Sequence, residues 1–134
     1  MRTMKNQTRL LLMVCLSIST ASIKSFAYGG GGGGGSSCSE VTFSEESPVR
    51  DSVVPSLDKF SIVVSQNADL GTLVMKVNGD QVNPVISTKR SGDSQLETTF
   101  ATPIRTPGKV RISLKAMSKD GCDSFQPIYI EVKP

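Results

Sequence analysis

The chain has 134 residues, of which 37% are hydrophobic and 20% charged, and it contains no His and no Trp. This length accommodates one ordinary domain. The absence of His removes the commonest general base, the Ser and Cys catalytic triads and imidazole metal sites. The net charge is +3, but four of the 15 basic residues and no acid lie in residues 1–27, which leaves 11 basic groups against 12 acids. Residues 28–134 therefore have a net charge of −1 and lack the excess of positive charge that is typical of proteins that bind nucleic acid. We expect no nucleic acid as a partner.

Residues 1–27 have the order of a secretory signal peptide. The basic segment Met1–Arg9 precedes the apolar run Leu10–Ile18, and Ser25-Phe26-Ala27 places small residues at both positions that a signal peptidase reads. The run is shorter than the roughly 20 apolar residues that span a membrane. We predict export to the periplasm or the extracellular medium, with cleavage after Ala27 and no transmembrane span afterwards. Cleavage after Ala21 and a retained anchor are the alternatives.

A glycine-rich linker is predicted for residues 28–37. Seven consecutive glycines, Gly29–Gly35, lose much backbone entropy on ordering and have no side chain to bury. A phosphate-binding loop would need a following helix and a Lys with Ser or Thr. The residues after this run instead lead into a strand-like stretch, so we predict a flexible spacer and place the folded domain at residues 38–134.

The domain alternates apolar and polar residues with a period of two, interrupted by turn residues about every ten positions. The clearest example is 109–116, where Val110, Ile112 and Leu114 point to one face. Asn78-Gly79 is typical of a hairpin turn. The pattern predicts an all-β fold, a single seven-stranded antiparallel immunoglobulin-like sandwich. Its strands are expected near 41–44, 58–65, 71–77, 82–89, 95–101, 109–117 and 126–133, lettered A to G in order.

Several motifs resemble those of bacterial immunoglobulin-like and fibronectin type III-like domains of secreted proteins. They are Ser47-Pro48 followed by Val54, then KFSIVVS, KVNGD and PGKVRISLKAMSKDGC. The resemblance spans residues 41–132 and implies a fold and an exported location but no activity. The core Trp and the B–F cysteine pair of true immunoglobulin domains are absent. Periplasmic copper carriers of similar sandwich shape bind metal largely through His, which this chain lacks.

A partner is expected on the outward side of strands C, F and G, which lie side by side in this fold. We call this surface the CFG face and define it by Val74, Lys76, Arg111, Lys115 and Tyr129. Tyr and Arg are enriched at interfaces. A solvated sheet face without a partner is the alternative, since isolated exposed apolar residues are normal.

Carboxylates and sulfur-containing residues are the candidates for metal chemistry. Calcium would need Glu45, Glu46, Asp120 and Asp123 to converge at one end of the sandwich, and no spaced calcium loop is present. A soft metal would use Cys38, Cys122, Met75 and Met117. Met75 has the alternation of a core residue, and oxidation of the cysteines is favoured over ligation in an oxidising compartment. We therefore predict no metal and no cofactor.

One disulfide is predicted, between Cys38 and Cys122. The leader removes Cys15, which leaves two cysteines in an oxidising compartment. Cys38 lies just before strand A and Cys122 lies in the turn into strand G. Strands A and G run alongside each other in this fold, so both cysteines should lie at one end. A bridge between two chains and a pair of free thiols are the alternatives.

These observations predict a non-enzymatic, exported interaction or structural module that binds a protein or envelope component as a monomer. The alternative is a small periplasmic carrier or metal-binding protein. An enzyme is not expected, because no nucleophile–base pair remains without His.

Overall fold

The computed structural model describes residues 37–134, which form two β-sheets that share one hydrophobic core. The predicted signal peptide lies outside the described residues, as does the predicted linker apart from its last residue. Within the described part, no helix is long and apolar enough to cross a membrane. The all-β sandwich predicted from the alternating pattern is confirmed.

Nine strands are present in residues 37–134. They are β1 (Phe43–Ser47), β2 (Val53–Val54), β3 (Leu57–Val64), β4 (Ala68–Val77), β5 (Asp80–Val82), β6 (Val85–Thr88), β7 (Ser94–Ile104), β8 (Gly108–Ser118) and β9 (Asp123–Val132). One sheet has four strands in the order β1-β3-β7-β6, and the other has five in the order β2-β9-β8-β4-β5.

The core lies between the inward faces of the two sheets. In β8, Val110, Ile112, Leu114 and Ala116 are all buried, whereas the alternate residues are exposed or half-buried. Burying one large apolar side chain stabilises the fold by about 1.5–3 kcal/mol. The large side chains that are less than 2% exposed come from both sheets: Leu57, Phe60, Ile62, Val64, Met75, Leu96, Ile112, Leu114, Ile128, Ile130 and Val132.

The number of strands differs from the seven predicted, because two short strands have little pattern of their own. β2 has only two residues and pairs with β9 in parallel, whereas the other strand pairs are antiparallel. The predicted strand 82–89 is split between β5 and β6, which belong to different sheets. Pro84 lies at the break, where a residue without a backbone N–H cannot continue a ladder.

The position of the first strand also differs from the prediction. β1 pairs with β3 in the four-stranded sheet, and it is β2 that lies alongside β9. The strand beside the last strand is therefore β2, because the chain leaves the first sheet after Ser47 and reaches the second at Val53. Cys38 nevertheless lies at the same end of the sandwich as the turn between β8 and β9.

Candidate functional site

The CFG face corresponds to β4, β8 and β9, which lie side by side in the five-stranded sheet. Val74 on β4 pairs with Lys115 on β8, and Lys115 pairs in turn with Phe125 on β9. Four residues further along β8, Arg111 pairs with Tyr129. Directly paired residues project from the same side of a sheet, so these side chains form two rows across its outer surface, with the row of Lys76, Ser113 and Pro127 between them.

A shallow depression of about 510 Å³ lies on this surface. Its lining residues are Val74, Lys76, Gly79, Arg111, Ser113, Lys115 and Phe125. Four of the five residues predicted for the face therefore line it together. Tyr129 lies beside Arg111 but lines a separate, smaller depression of about 120 Å³ with Asp51, Lys109 and Glu131.

Phe125 is the aromatic residue of this surface that the sequence analysis missed. Its side chain is 57% exposed, compared with 40% for Tyr129. The predicted last strand began at residue 126, whereas β9 begins at Asp123. Every second residue of a strand lies on the same side of the sheet, so Phe125 and Pro127 lie on the same side as Tyr129. A correct strand start was therefore the only information needed to find it.

The electrostatic character of the depression is basic. None of its lining residues is acidic. In the part of the chain that the structure describes, the ion pairs are Arg50–Glu46, Lys89–Glu45 and Lys133–Glu131. Lys76, Arg111 and Lys115 therefore form no ion pair with a described residue. The depression is a local concentration of positive charge on a domain whose basic and acidic residues nearly balance.

The hairpin between β4 and β5 fixes the backbone at Arg111. Asn78 and Gly79 form its two-residue loop with φ values of 50° and 92°, as the Asn-Gly signal predicts. The Asn78 side-chain Oδ1 accepts a hydrogen bond from the Arg111 backbone N–H at 2.9 Å. The Asn78 backbone N–H donates to the Arg111 carbonyl at 2.8 Å. These bonds hold the turn against β8 beside the depression.

The disulfide between Cys38 and Cys122 is confirmed, with Cα atoms 5.5 Å apart. It joins the segment before β1 to the turn between β8 and β9. Asp120 in that turn accepts hydrogen bonds from the Ser118 hydroxyl and from the Ser39 backbone N–H, the latter at 2.9 Å. The Ser118 bond, and then the Ser39 bond, lower the pKa of Asp120 because they stabilise the carboxylate.

Three of the four carboxylates considered for calcium, Glu45, Glu46 and Asp120, have separate partners. Glu45 forms an ion pair with Lys89 at 2.7 Å, and Glu46 forms one with Arg50, whose hydrogen bond lowers the pKa of Glu46. Asp120 lies in the disulfide-linked turn. Within residues 37–134, no three His, Cys, Asp or Glu residues lie close enough to hold a metal ion. The convergence that a calcium site would need is therefore not formed among the described residues.

The described sulfur-containing residues considered for a soft metal do not form a common site either. Cys38 and Cys122 are bonded to each other, so neither provides a thiolate. Met75 is 1% exposed, and its Sδ accepts a hydrogen bond from the buried Thr98 hydroxyl at 3.5 Å. Met117 projects from the opposite face of the same sheet and is 38% exposed. The two thioethers therefore cannot ligate one ion.

Comparison with solved structures identifies this arrangement of strands. CopC from Methylosinus trichosporium OB3b aligns with a TM-score of 0.53 and 14% identity over 71% of this chain and 95% of that chain. PcoC, a methionine-rich copper resistance protein from Escherichia coli, aligns with a TM-score of 0.50 and 16% identity over 71% of this chain and 100% of that chain. The chain has the fold of CopC and PcoC. At these identities the likeness concerns the fold alone.

Sequence comparison adds no family assignment. No protein-family model matches the chain, and no curated protein matches it significantly. The immunoglobulin-like resemblance is thus supported as a related β-sandwich of the CopC and PcoC type.

Proposed function

We propose that this protein is an exported, non-enzymatic binding module that contacts its partner through the CFG face. The observation that carries the proposal is the group of three cations without ion pairs among the described residues, gathered around a depression with an exposed Phe125. Arg and aromatic side chains are enriched at interfaces, and Arg, Tyr and Trp are common among the residues that contribute most to binding.

Three observations support export. The first 27 residues have the order of a signal peptide. The disulfide between Cys38 and Cys122 is typical of oxidising compartments. The sandwich is shared with PcoC, a methionine-rich copper resistance protein from Escherichia coli. A periplasmic or extracellular location is consistent with all three, and the absence of His favours binding over catalysis.

A small metal carrier is the second candidate, and at the level of the fold the comparisons favour it, because PcoC is a copper resistance protein. The side chains of residues 37–134 do not fit copper. Soft copper sites use Cys, Met and His side chains. The chain has no His, its two described cysteines are bonded to each other, and Met75 and Met117 lie on opposite faces of a sheet. We therefore place the carrier second.

Charge reversal tests the binding module. The variant Arg111→Glu, Lys115→Glu, Tyr129→Ala should lose capture of the native partner from the envelope fraction of the source cells. These side chains point outward, so each change should alter the free energy of unfolding by only about 0.5 kcal/mol. The matched control is Lys59→Glu with Arg90→Glu, which reverses two exposed charges away from the face. If capture is the same in both variants, the face is only solvated surface.

Metal analysis separates the two candidates. The protein, purified after export without chelators, should contain no stoichiometric copper by mass spectrometry. Titration with Cu(I) and with Cu(II) should give no saturable heat change at micromolar protein. One equivalent of tightly bound copper would instead favour the carrier. It would also mean that copper has a set of ligands that the described residues do not bring together.

A further inference from the structure

We propose that the CFG face binds a polymer of carboxylated sugars, an inference that rests on the proposed function. The cations are spaced along the strand over a distance that suits an extended ligand. Arg111 and Lys115 are four residues apart on β8, which separates their Cα atoms by about 13–14 Å. Ser113 lies between them, and Lys76 pairs with Ser113 from the neighbouring strand. Charges distributed in this way match an extended polyanion better than one compact anion.

A row of apolar side chains on β9 lies parallel to the cations of β8. On β9, Phe125 pairs with Lys115, Pro127 with Ser113, and Tyr129 with Arg111. Arg111 and Lys115 therefore each have an aromatic neighbour on β9, whereas Lys109, at the end of the row, pairs with Glu131. A sugar acid has the same two-sided character, because its ring has an apolar C–H surface and its carboxylate projects from the edge. The sugar ring would stack on the β9 row while the carboxylate meets the β8 row.

Acidic peptides and nucleic acids are the other polyanions that this face could attract. β8 is paired on both sides, by β9 and β4, so the centre of the face has no free backbone groups for an added peptide strand. An acidic peptide at that position would bind through its carboxylates without adding a strand, and acidic side chains have no apolar ring face to stack on the aromatic row. Nucleic acid is disfavoured because residues 28–134 have 11 basic groups against 12 acids. The combination of rings and cations therefore favours a carboxylated glycan.

The test uses the exported protein with its disulfide intact and three probes: oligogalacturonate, its fully methyl-esterified form, and oligoglutamate with the same number of carboxylates. We expect saturable binding to oligogalacturonate and at least about tenfold weaker binding to the ester. The logarithm of affinity should fall with the logarithm of salt with a slope of about −2, as three contacts to a flexible polyanion predict. Arg111→Gln with Lys115→Gln should reduce the slope to about −0.7, the value for the one contact that Lys76 still makes.

Phe125→Ala distinguishes the glycan from a peptide. The variant should bind oligogalacturonate about fivefold or more weakly, while Val85→Ala, a matched truncation of an exposed residue on the other sheet, should have no effect. Equal binding of oligoglutamate and oligogalacturonate with no effect of Phe125→Ala, or tighter binding of single-stranded DNA, would overturn the glycan inference. Absence of polyanion binding would overturn it too, and the proposed function would still stand if the charge-reversed variant lost its native partner.

Discussion

Replacing Cys38 and Cys122 together by serine should lower the free energy of unfolding by about 2–4 kcal/mol. The bridge joins residues 84 positions apart, and the chain-entropy model assigns a loop of this length about 4–5 kcal/mol. We expect less than this value because reduced unfolded chains keep some residual structure. Even the lower value is a large fraction of the 5–15 kcal/mol that is typical of a single domain.

The folded state should survive this change, because other contacts hold the same segment. The Val41 backbone N–H donates to the Ser124 hydroxyl at 2.8 Å, and the Ser39 N–H donates to Asp120 at 2.9 Å. The Asn67 side-chain amide donates to the Ser39 carbonyl at 3.0 Å, and the Val41 side chain is 5% exposed. The effect of losing the bridge therefore falls mainly on the unfolded chain, whose freedom increases.

Thermal unfolding followed by circular dichroism measures the effect. One kcal/mol shifts the Tm of a domain of this size by about 4–8 °C, so the expected decrease is about 10–30 °C. The parent protein in reducing agent should match the double-serine variant, which controls for the serine side chains. A decrease below about 3 °C, with the native spectrum unchanged, would refute the argument that the bridge restricts the unfolded chain.

Two further predictions concern the loops. Asn78→Ala should destabilise the domain by about 1–2 kcal/mol in urea unfolding, because alanine tolerates the positive φ poorly and loses the bond to the Arg111 N–H, whereas Asn78→Gly should cost less. In the folded protein the pKa of Asp120 lies below its ordinary value of 3.8. The Asp120 carboxylate therefore stabilises the fold fully at pH values above 3.8, and this stabilisation is lost as the pH falls through the lowered pKa. Asp120→Asn should therefore flatten the acid side of a plot of Tm against pH, and an unchanged acid side would contradict the assignment.

The alternating pattern predicted the long strands because their own residues determine which side is buried. Val110, Ile112 and Leu114 of β8 are the clearest case, and all three lie in the core. The pattern could not predict β2, because Val53 and Val54 take their pairing from β9 and not from a periodicity of their own. An edge strand of two residues is specified by its neighbour, and that neighbour is distant in sequence.

The strands that form the candidate site could be predicted from the sequence, but not all of its residues could. Neighbouring positions of β4, β8 and β9 follow from the order of strands in a sandwich, so Lys76, Arg111 and Lys115 could be assigned to one surface. Phe125 was missed because an error of three residues in the start of β9 removed it from the strand. Strand ends depend on the turn that closes them, and the turn at Cys122 is shaped by the disulfide and by Asp120.

The candidate site lies on a surface that the sandwich does not use for its hydrophobic core. The inward positions of β4, β8 and β9 hold the core, so substitution there changes stability before it changes binding. The central strand β8 pairs with β4 on one side and with β9 on the other, so its backbone hydrogen bonds are satisfied. Its outward side chains are constrained only by the need to be solvated. A fold shared with PcoC at 16% identity can therefore keep its core alternation while its outer surface acquires a different chemistry. In this chain that surface carries cations and aromatic rings, and the described residues bring no soft-metal ligands together on it.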